Sequence, residues 1–223
     1  MNANWLRNFT RNCLKGHLLG ELLIKGLSRQ RYDTICFVAA TRMSESDFWK
    51  KSYLGPSLQP LLQEAGITAK IHFENTLGLP EVYNREILES RSDILVFLHD
   101  DVWLADLNLP QKISYALKNF DIVGLAGNKN KSKRRITWFA SKALGDKFIP
   151  DKDDLSGIVA HGHPERHDIS YFGATPAQCQ VMDGLFLATT TRRLRGSKVK
   201  FDERFKFHFY DLDFCNTAKR AGL

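Results

Sequence analysis

The run Ile94-Leu95-Val96-Phe97-Leu98 passes directly into His99, Asp100 and Asp101. Five consecutive apolar residues leave no polar face, so a strand built from them must be covered on both sides. A central strand of an open sheet, with helices on each face, meets that demand. Two adjacent carboxylates at the end of such a strand repel each other and are costly to bury unpaired. Ligands of open α/β sheets bind at the carboxyl ends of the strands. A hard divalent cation bridged to a phosphate would offset the repulsion at that place. Asp100 and Asp101 are therefore candidate metal- or nucleotide-binding residues, with a turn or helix cap as the plain alternative.

The neighbouring segments supply the rest of such a fold. Residues 33–40 (DTICFVAA) read as a buried strand by their β-branched and aromatic content. A helical stretch over about 44–65, interrupted near Gly55-Pro56, is closed by Gly66. Residues 67–73 read as a second strand and 79–91 as an amphipathic helix. After the strand at 93–98 come a helix at 109–120, with Pro110 in its first turn, and a strand at 121–127. This alternation predicts an α/β fold with a mostly parallel central sheet flanked by helices. Beyond Gly127 the pattern weakens. Residues 128–135 read as a basic loop, 141–157 as loop-like and 161–168 as a loop holding His161, His163 and His167. Strand character returns at 180–190.

The 223 residues suffice for one sizeable domain. Residues 1–32 read as a helical segment ahead of a domain over 33–223. Trp5, Leu6 and Phe9 share one face of that segment, and Arg7, Arg11 and Lys15 line another. The segment either docks on the domain or lies as a basic amphipathic helix on an anionic membrane surface. The formal charge of +7 suits anionic partners without choosing among them. Cys13, Cys36, Cys179 and Cys215 are scattered, without a CxxC pair, as expected of reduced thiols. No apolar stretch is long enough to span a bilayer, and no signal-peptide pattern opens the chain. These features predict a cytoplasmic protein, with peripheral contact at the inner face of the membrane as an option. The chain stops just after a helix appears to end at Gly222, which leaves a truncated C-terminus open.

A second acidic feature closes the sequence. In 201–215 (FDERFKFHFYDLDFC), Asp211 and Asp213 stand just before an apparent helix. Either suits an N-cap, worth about 1 kcal/mol. The functional alternative is Asp211 as a general base at a helix start facing a cleft.

Taken in order, these stretches resemble glycosyltransferase family 2, nucleotide-sugar enzymes of the GT-A (Rossmann-like) fold. CFVAATR (36–42) is similar to the first strand and nucleotide loop. ENTLGLPEVYNREI (74–87) resembles the Asn-containing turn and helix. FLHDDVWL resembles the DXD-like motif with His in its first position. VMDGLFLAT (181–189) resembles the Asp-Gly strand, and FDERFKFHFYDLDFC the closing acidic motif. Tyr210 stands where many members carry an acid. The forms at 97–104 and 208–215 look like those of the bacterial capsule and lipopolysaccharide-type subgroup.

The resemblance implies an inverting, metal-dependent transfer from a nucleotide sugar, UDP-linked by preference, to a glycan or lipid-linked acceptor in bacterial surface polysaccharide synthesis. It implies Asp101 on a manganese or magnesium ion, Asp100 on the metal or ribose, and His208 as a further ligand or a structural residue. His99 is a nucleotide contact or a turn residue. Thr41 and Arg42 lie near base or diphosphate, and Glu74 and Asn75 near the nucleoside. Asn84 is a structural hydrogen-bonding residue as readily as a ligand contact. Asp183 and Gly184 face the sugar or acceptor, and Asp211 deprotonates the acceptor hydroxyl.

Two other readings compete. A nucleotidyltransferase shares the metal-binding acids, but AATRMSES lacks a Gly-rich phosphate loop. A non-enzymatic basic nucleic-acid-binding protein fits the charge, but the basic residues are dispersed over several segments. No nucleic-acid partner is therefore expected.

Overall fold

A computed structural model describes residues 34–130, 136–163 and 165–223. The expected helical segment at 1–32, with its membrane contact, lies outside the described residues, as do residues 131–135 of the basic loop.

The central sheet has five strands: β1 (Ile35–Ala40), β2 (Ile67–His72), β3 (Ile94–Leu98), β4 (Ile122–Gly124) and β11 (Phe186–Thr190). Their spatial order is β2-β1-β3-β11-β4. β1 pairs parallel with β2 and β3, whereas β11 runs antiparallel between β3 and β4. Four strands therefore share one direction, and the mostly parallel expectation holds.

Side-chain alternation explains why β1 and β3 are apolar throughout. Cys36, Val38, Ala40, Leu95 and Phe97 pack on one face against α3 (Leu79–Glu89), α5 (Thr191–Ser197) and α6 (Tyr210–Arg220). Ile35, Phe37, Ala39, Ile94, Val96 and Leu98 pack on the other against α1 (Glu45–Lys51), α2 (Leu54–Leu58) and α4 (Leu109–Ala116). The result is three layers, helix on sheet on helix.

The helix boundaries differ from expectation in three places. The break in the first helical stretch falls at Ser52 and Tyr53, not at Gly55-Pro56, which sit inside α2. The Ser52 hydroxyl donates to the Phe48 carbonyl and accepts from the Gly55 N–H, closing one helix and opening the next. The helix at 109 is regular only to Ala116 and then passes into turns. The last helix begins at Tyr210, so Asp211 and Asp213 lie in its first turn and neither caps it.

A second sheet replaces much of the expected loop. It has the order β10-β5-β8-β9, with β5 (Ala126–Asn128), β8 (Leu155–His163), β9 (Arg166–Gly173) and β10 (Val181–Met182). The expected strand at 121–127 splits at Leu125, giving β4 to one sheet and β5 to the other. The expected loop at 161–168 is the end of the β8–β9 hairpin. That ribbon is solvated on both faces there, so no apolar alternation marked it. Gly157 sits at its register shift with φ +127°, a conformation that favours glycine. A small hairpin, β6 (Lys142–Leu144) with β7 (Lys147–Ile149), lies within the other loop-like stretch.

One buried amide ties the closing motif to the core. Asn84 on α3 donates to the Phe201 carbonyl at 2.8 Å and accepts from the Phe201 N–H at 2.9 Å. It also donates to Glu203 at 2.9 Å. Asn84 is thus structural. Asn84→Ala would leave two buried backbone groups without partners. It is expected to destabilise the fold by about 3 kcal/mol, measured by urea denaturation.

Candidate active site

The carboxyl ends of β1, β2 and β3 open onto one set of loops, and most of the expected site residues lie on them. Thr41, after β1, is buried, and its hydroxyl accepts from the Met43 N–H at 3.1 Å. Its backbone joins the first two loops: Thr41 N–H donates to the His72 carbonyl and Asn75 N–H to the Thr41 carbonyl. Thr41 shapes the loop, while Arg42 beside it is exposed. Glu74 is exposed at φ 48°. Asn75 closes a turn of its own, donating to the Leu77 carbonyl at 2.8 Å and accepting from the Leu77 N–H at 3.3 Å.

The acid pair follows β3. Asp100 is half-buried, and its carbonyl accepts from the Leu54 N–H at 3.2 Å. Asp101 points outward with 78% of its side chain exposed. Its carboxylate lies 4.0 Å from His99 Nδ1. The other nitrogen of that ring, Nε2, is 2.7 Å from the Tyr210 hydroxyl. Phe207 stacks on the imidazole, with ring centroids 5.7 Å apart.

Asp183 and Gly184 lie where the chain passes from β10 to β11, between the two sheets. The Asp183 N–H donates to the Ala126 carbonyl at 2.9 Å, and its carboxylate accepts from the Leu185 N–H at 2.8 Å. The nearby Trp138 side chain favours the charged form of that carboxylate. Gly184 N–H donates to Asp211 Oδ2 at 3.1 Å, and its carbonyl accepts from the Tyr210 hydroxyl at 3.0 Å. A Cβ at 184 would stand 2.2 Å from the Tyr210 oxygen and 3.0 Å from the Asp211 Cβ. Glycine is required here by protein side chains, whereas the sequence suggested close approach of a ligand.

Asp211 is not the N-cap that its place before an apparent helix allowed. The cap position is Phe209, a bulky residue in left-handed conformation at φ 66°. The Asp211 carboxylate accepts instead from Gly184 N–H and from Leu212 N–H at 2.9 Å. Burial pushes its pKa up, and the nearby Asp183 charge adds to the rise. Burial also raises Asp183, with the Asp101 charge contributing. A half-buried carboxylate with an elevated pKa has the properties of a general base.

Tyr210 is the residue the sequence undervalued. It is buried in an aromatic cluster with Tyr83 and Phe201, at centroid distances of 6.0 and 5.9 Å. Its only signal in the chain was a phenol standing in an acid's usual place.

The donor chemistry at the acid pair suits a hard cation. Two carboxylates end a central strand, one of them open to solvent. Among the described residues no three His, Cys, Asp or Glu side chains gather in a metal-binding group. A magnesium-type ion commonly completes its shell with phosphate oxygens and water, so two carboxylates are a sufficient protein share. His208 is exposed with its ring against Phe207, at 5.2 Å between centroids.

A cavity of about 640 Å³ lies apart from the acids, along β4 and the C-terminal half of α6, with Met182, Cys179 and Cys215 in its wall. No described helix is long and apolar enough to cross a membrane.

No curated protein matches the sequence significantly. Among solved structures, A197 from STIV aligns with a TM-score of 0.45 at 14% identity, over 83% of this chain and 78% of that one. TarS 1-349 from S. aureus aligns with a TM-score of 0.45 at 9% identity, over 83% of this chain. The chain spans 55% of that TarS structure's length. Neither likeness bears on the site. Residues 62–223, more than half of the chain, match the sequence model of a glycosyltransferase-like family. The chain belongs to that glycosyltransferase-like family and is a glycosyltransferase, acting on a nucleotide-sugar donor and an acceptor.

Proposed function

We propose that the protein is an inverting, divalent-cation-dependent glycosyltransferase with a UDP-sugar donor. The acceptor is a hydroxyl on a glycan or lipid-linked glycan, and the setting is bacterial surface polysaccharide synthesis on the cytoplasmic side. One observation carries the reading. Hydrogen bonds of 2.7–3.1 Å run from the half-buried Asp211 carboxylate through Gly184 and Tyr210 to His99, whose other ring nitrogen lies 4.0 Å from Asp101 of the acid pair.

In this reading Asp101 and Asp100 hold manganese or magnesium. Bound there, such an ion neutralises charge growing on the diphosphate leaving group. Asp211 takes the proton of the acceptor hydroxyl. The freed oxygen attacks the anomeric carbon, the bond to the diphosphate oxygen breaks, and the configuration inverts. Asp183 holds the 183–185 turn in shape through Leu185 N–H and faces the sugar. Arg42, Glu74 and Asn75 border the nucleoside end, and His208 is available at the cleft rim. Calorimetry with UDP, GDP and dTDP, with and without manganese, tests the donor site. Metal-dependent binding of UDP supports it, and binding of none by the folded protein removes it.

The raised pKa of Asp211 makes a pH prediction. A base that protonates above the ordinary carboxylate range loses activity at correspondingly higher pH as the medium is acidified. The Asp183 charge contributes to that rise. Asp183→Asn should therefore move the acidic limb of kcat/KM to lower pH, whatever it does to the plateau. Burial, the larger cause, is untouched, so the limb stays above that of an exposed aspartate. A limb that does not move would remove Asp211 as the titrating group.

A further inference from the structure

We propose that Tyr210 is a positioning residue of the donor site. Its hydroxyl holds His99 in the Nε2–H tautomer, which leaves Nδ1 as a bare lone pair beside the Asp101 carboxylate, available to the cation. This rests on the reading of the acid pair as the donor site.

Proton counting supports it. A phenol has one proton to donate. The Gly184 carbonyl can only accept, and Tyr210 donates to it at 3.0 Å. The neighbouring Tyr83 hydroxyl donates to the Leu98 carbonyl at 3.2 Å. Each phenol thus has a backbone oxygen to donate to, and the two hydroxyls also face each other. With the Tyr210 proton on the Gly184 carbonyl, the 2.7 Å contact to His99 Nε2 takes its proton from the imidazole. Burial beside Tyr83, Asp211 and Asp183 raises the phenol pKa well above its ordinary value, so Tyr210 keeps its proton. In a neutral imidazole the two nitrogens take opposite roles. Nδ1 is therefore the acceptor, 4.0 Å from Asp101 Oδ1. Phe207 stacked on the ring restricts its rotation. An imidazole nitrogen and a carboxylate oxygen converging in this way form a pair of ligands suited to a manganese-type ion.

The same hydroxyl couples this end of the site to the base. Tyr210 and Asp211 are consecutive and clasp the two polar groups of Gly184, one on its carbonyl and one on its N–H. Losing the hydroxyl frees the imidazole and loosens one side of that clasp.

The test is long-range 15N–1H correlation on histidine-labelled full-length protein, with His99 assigned through His99→Asn. Wild type is expected to show protonated Nε2 and bare Nδ1, and Tyr210→Phe a mixture of tautomers. Manganese alone, titrated by electron paramagnetic resonance, should bind about tenfold more weakly to Tyr210→Phe, in the range seen when partners of metal ligands are removed. An Nδ1–H or doubly protonated His99 in wild type overturns the proposal. So does a Tyr210→Phe protein with unchanged tautomer and manganese affinity. If the tautomer behaves as stated but neither protein binds manganese, the positioning role stands and the donor-site reading fails. Should Tyr210→Phe not fold, the wild-type tautomer decides alone.

Discussion

Asp211→Asn is expected to lower kcat by about 10²- to 10⁴-fold, the usual share of a general base, while UDP affinity stays within about twofold. The carboxylate is the half-buried acid at the start of α6, held by two backbone N–H groups from Gly184 and Leu212. It bonds the Gly184 N–H rather than either member of the acid pair, so its removal should not reach the diphosphate. The fold should survive. Burial raises the pKa of Asp211, so its ionised form is penalised in the folded state. That penalty is fully present above the folded pKa and disappears as pH falls below the unfolded value. At neutral pH a neutral Asn escapes it, which offsets the backbone hydrogen bond the amide group forgoes. Thermal denaturation should therefore find Asp211→Asn close to wild type at neutral pH, with any advantage shrinking on acidification. Full turnover by this variant would falsify the base assignment.

Asp101→Asn is expected to act on the other half of the reaction. Manganese-dependent UDP binding should weaken by at least about tenfold, with binding in the absence of metal unchanged from wild type. The side chain is mostly solvent-exposed, and the nearest ring nitrogen of His99 lies 4.0 Å away. Stability should change by less than about 0.5 kcal/mol, as for surface substitutions away from special features. Calorimetry with and without metal reads both arms. Equal metal dependence in wild type and variant would show that the acid pair does not hold the cation. The two variants thus divide the reaction: Asp101→Asn loses the donor, and Asp211→Asn keeps it but does not transfer.

Much of the core was legible because its signals are local. The five-residue apolar run at 94–98 needs cover on both faces, and β3 lies in the middle of the sheet with helices on each side. The acids after it had to emerge at a strand's carboxyl end. The order strand, helix, strand over 33–124 follows from the same periodicity. The second sheet was not legible. β8 and β9 are a solvated ribbon held by cross-strand hydrogen bonds, which impose no apolar pattern on the chain. The split of 121–127 between two sheets was equally hidden, because it depends on distant pairing partners, β11 for β4 and β8 and β10 for β5.

The candidate site divides in the same way. The sequence by itself determined that a doubly covered, mostly parallel sheet forms and that two acids stand at its mouth, because burial demand and strand periodicity act within a few residues. Only the tertiary structure decided that Asp211 turns away from the cap role and onto Gly184. It alone made Tyr210 the link between the base and His99, and set glycine at 184 by the reach of a phenol oxygen. Those contacts join positions 26 to 111 residues apart. A hydrogen bond across such a separation exists only once the sheet and α6 have packed, so no local pattern announces it.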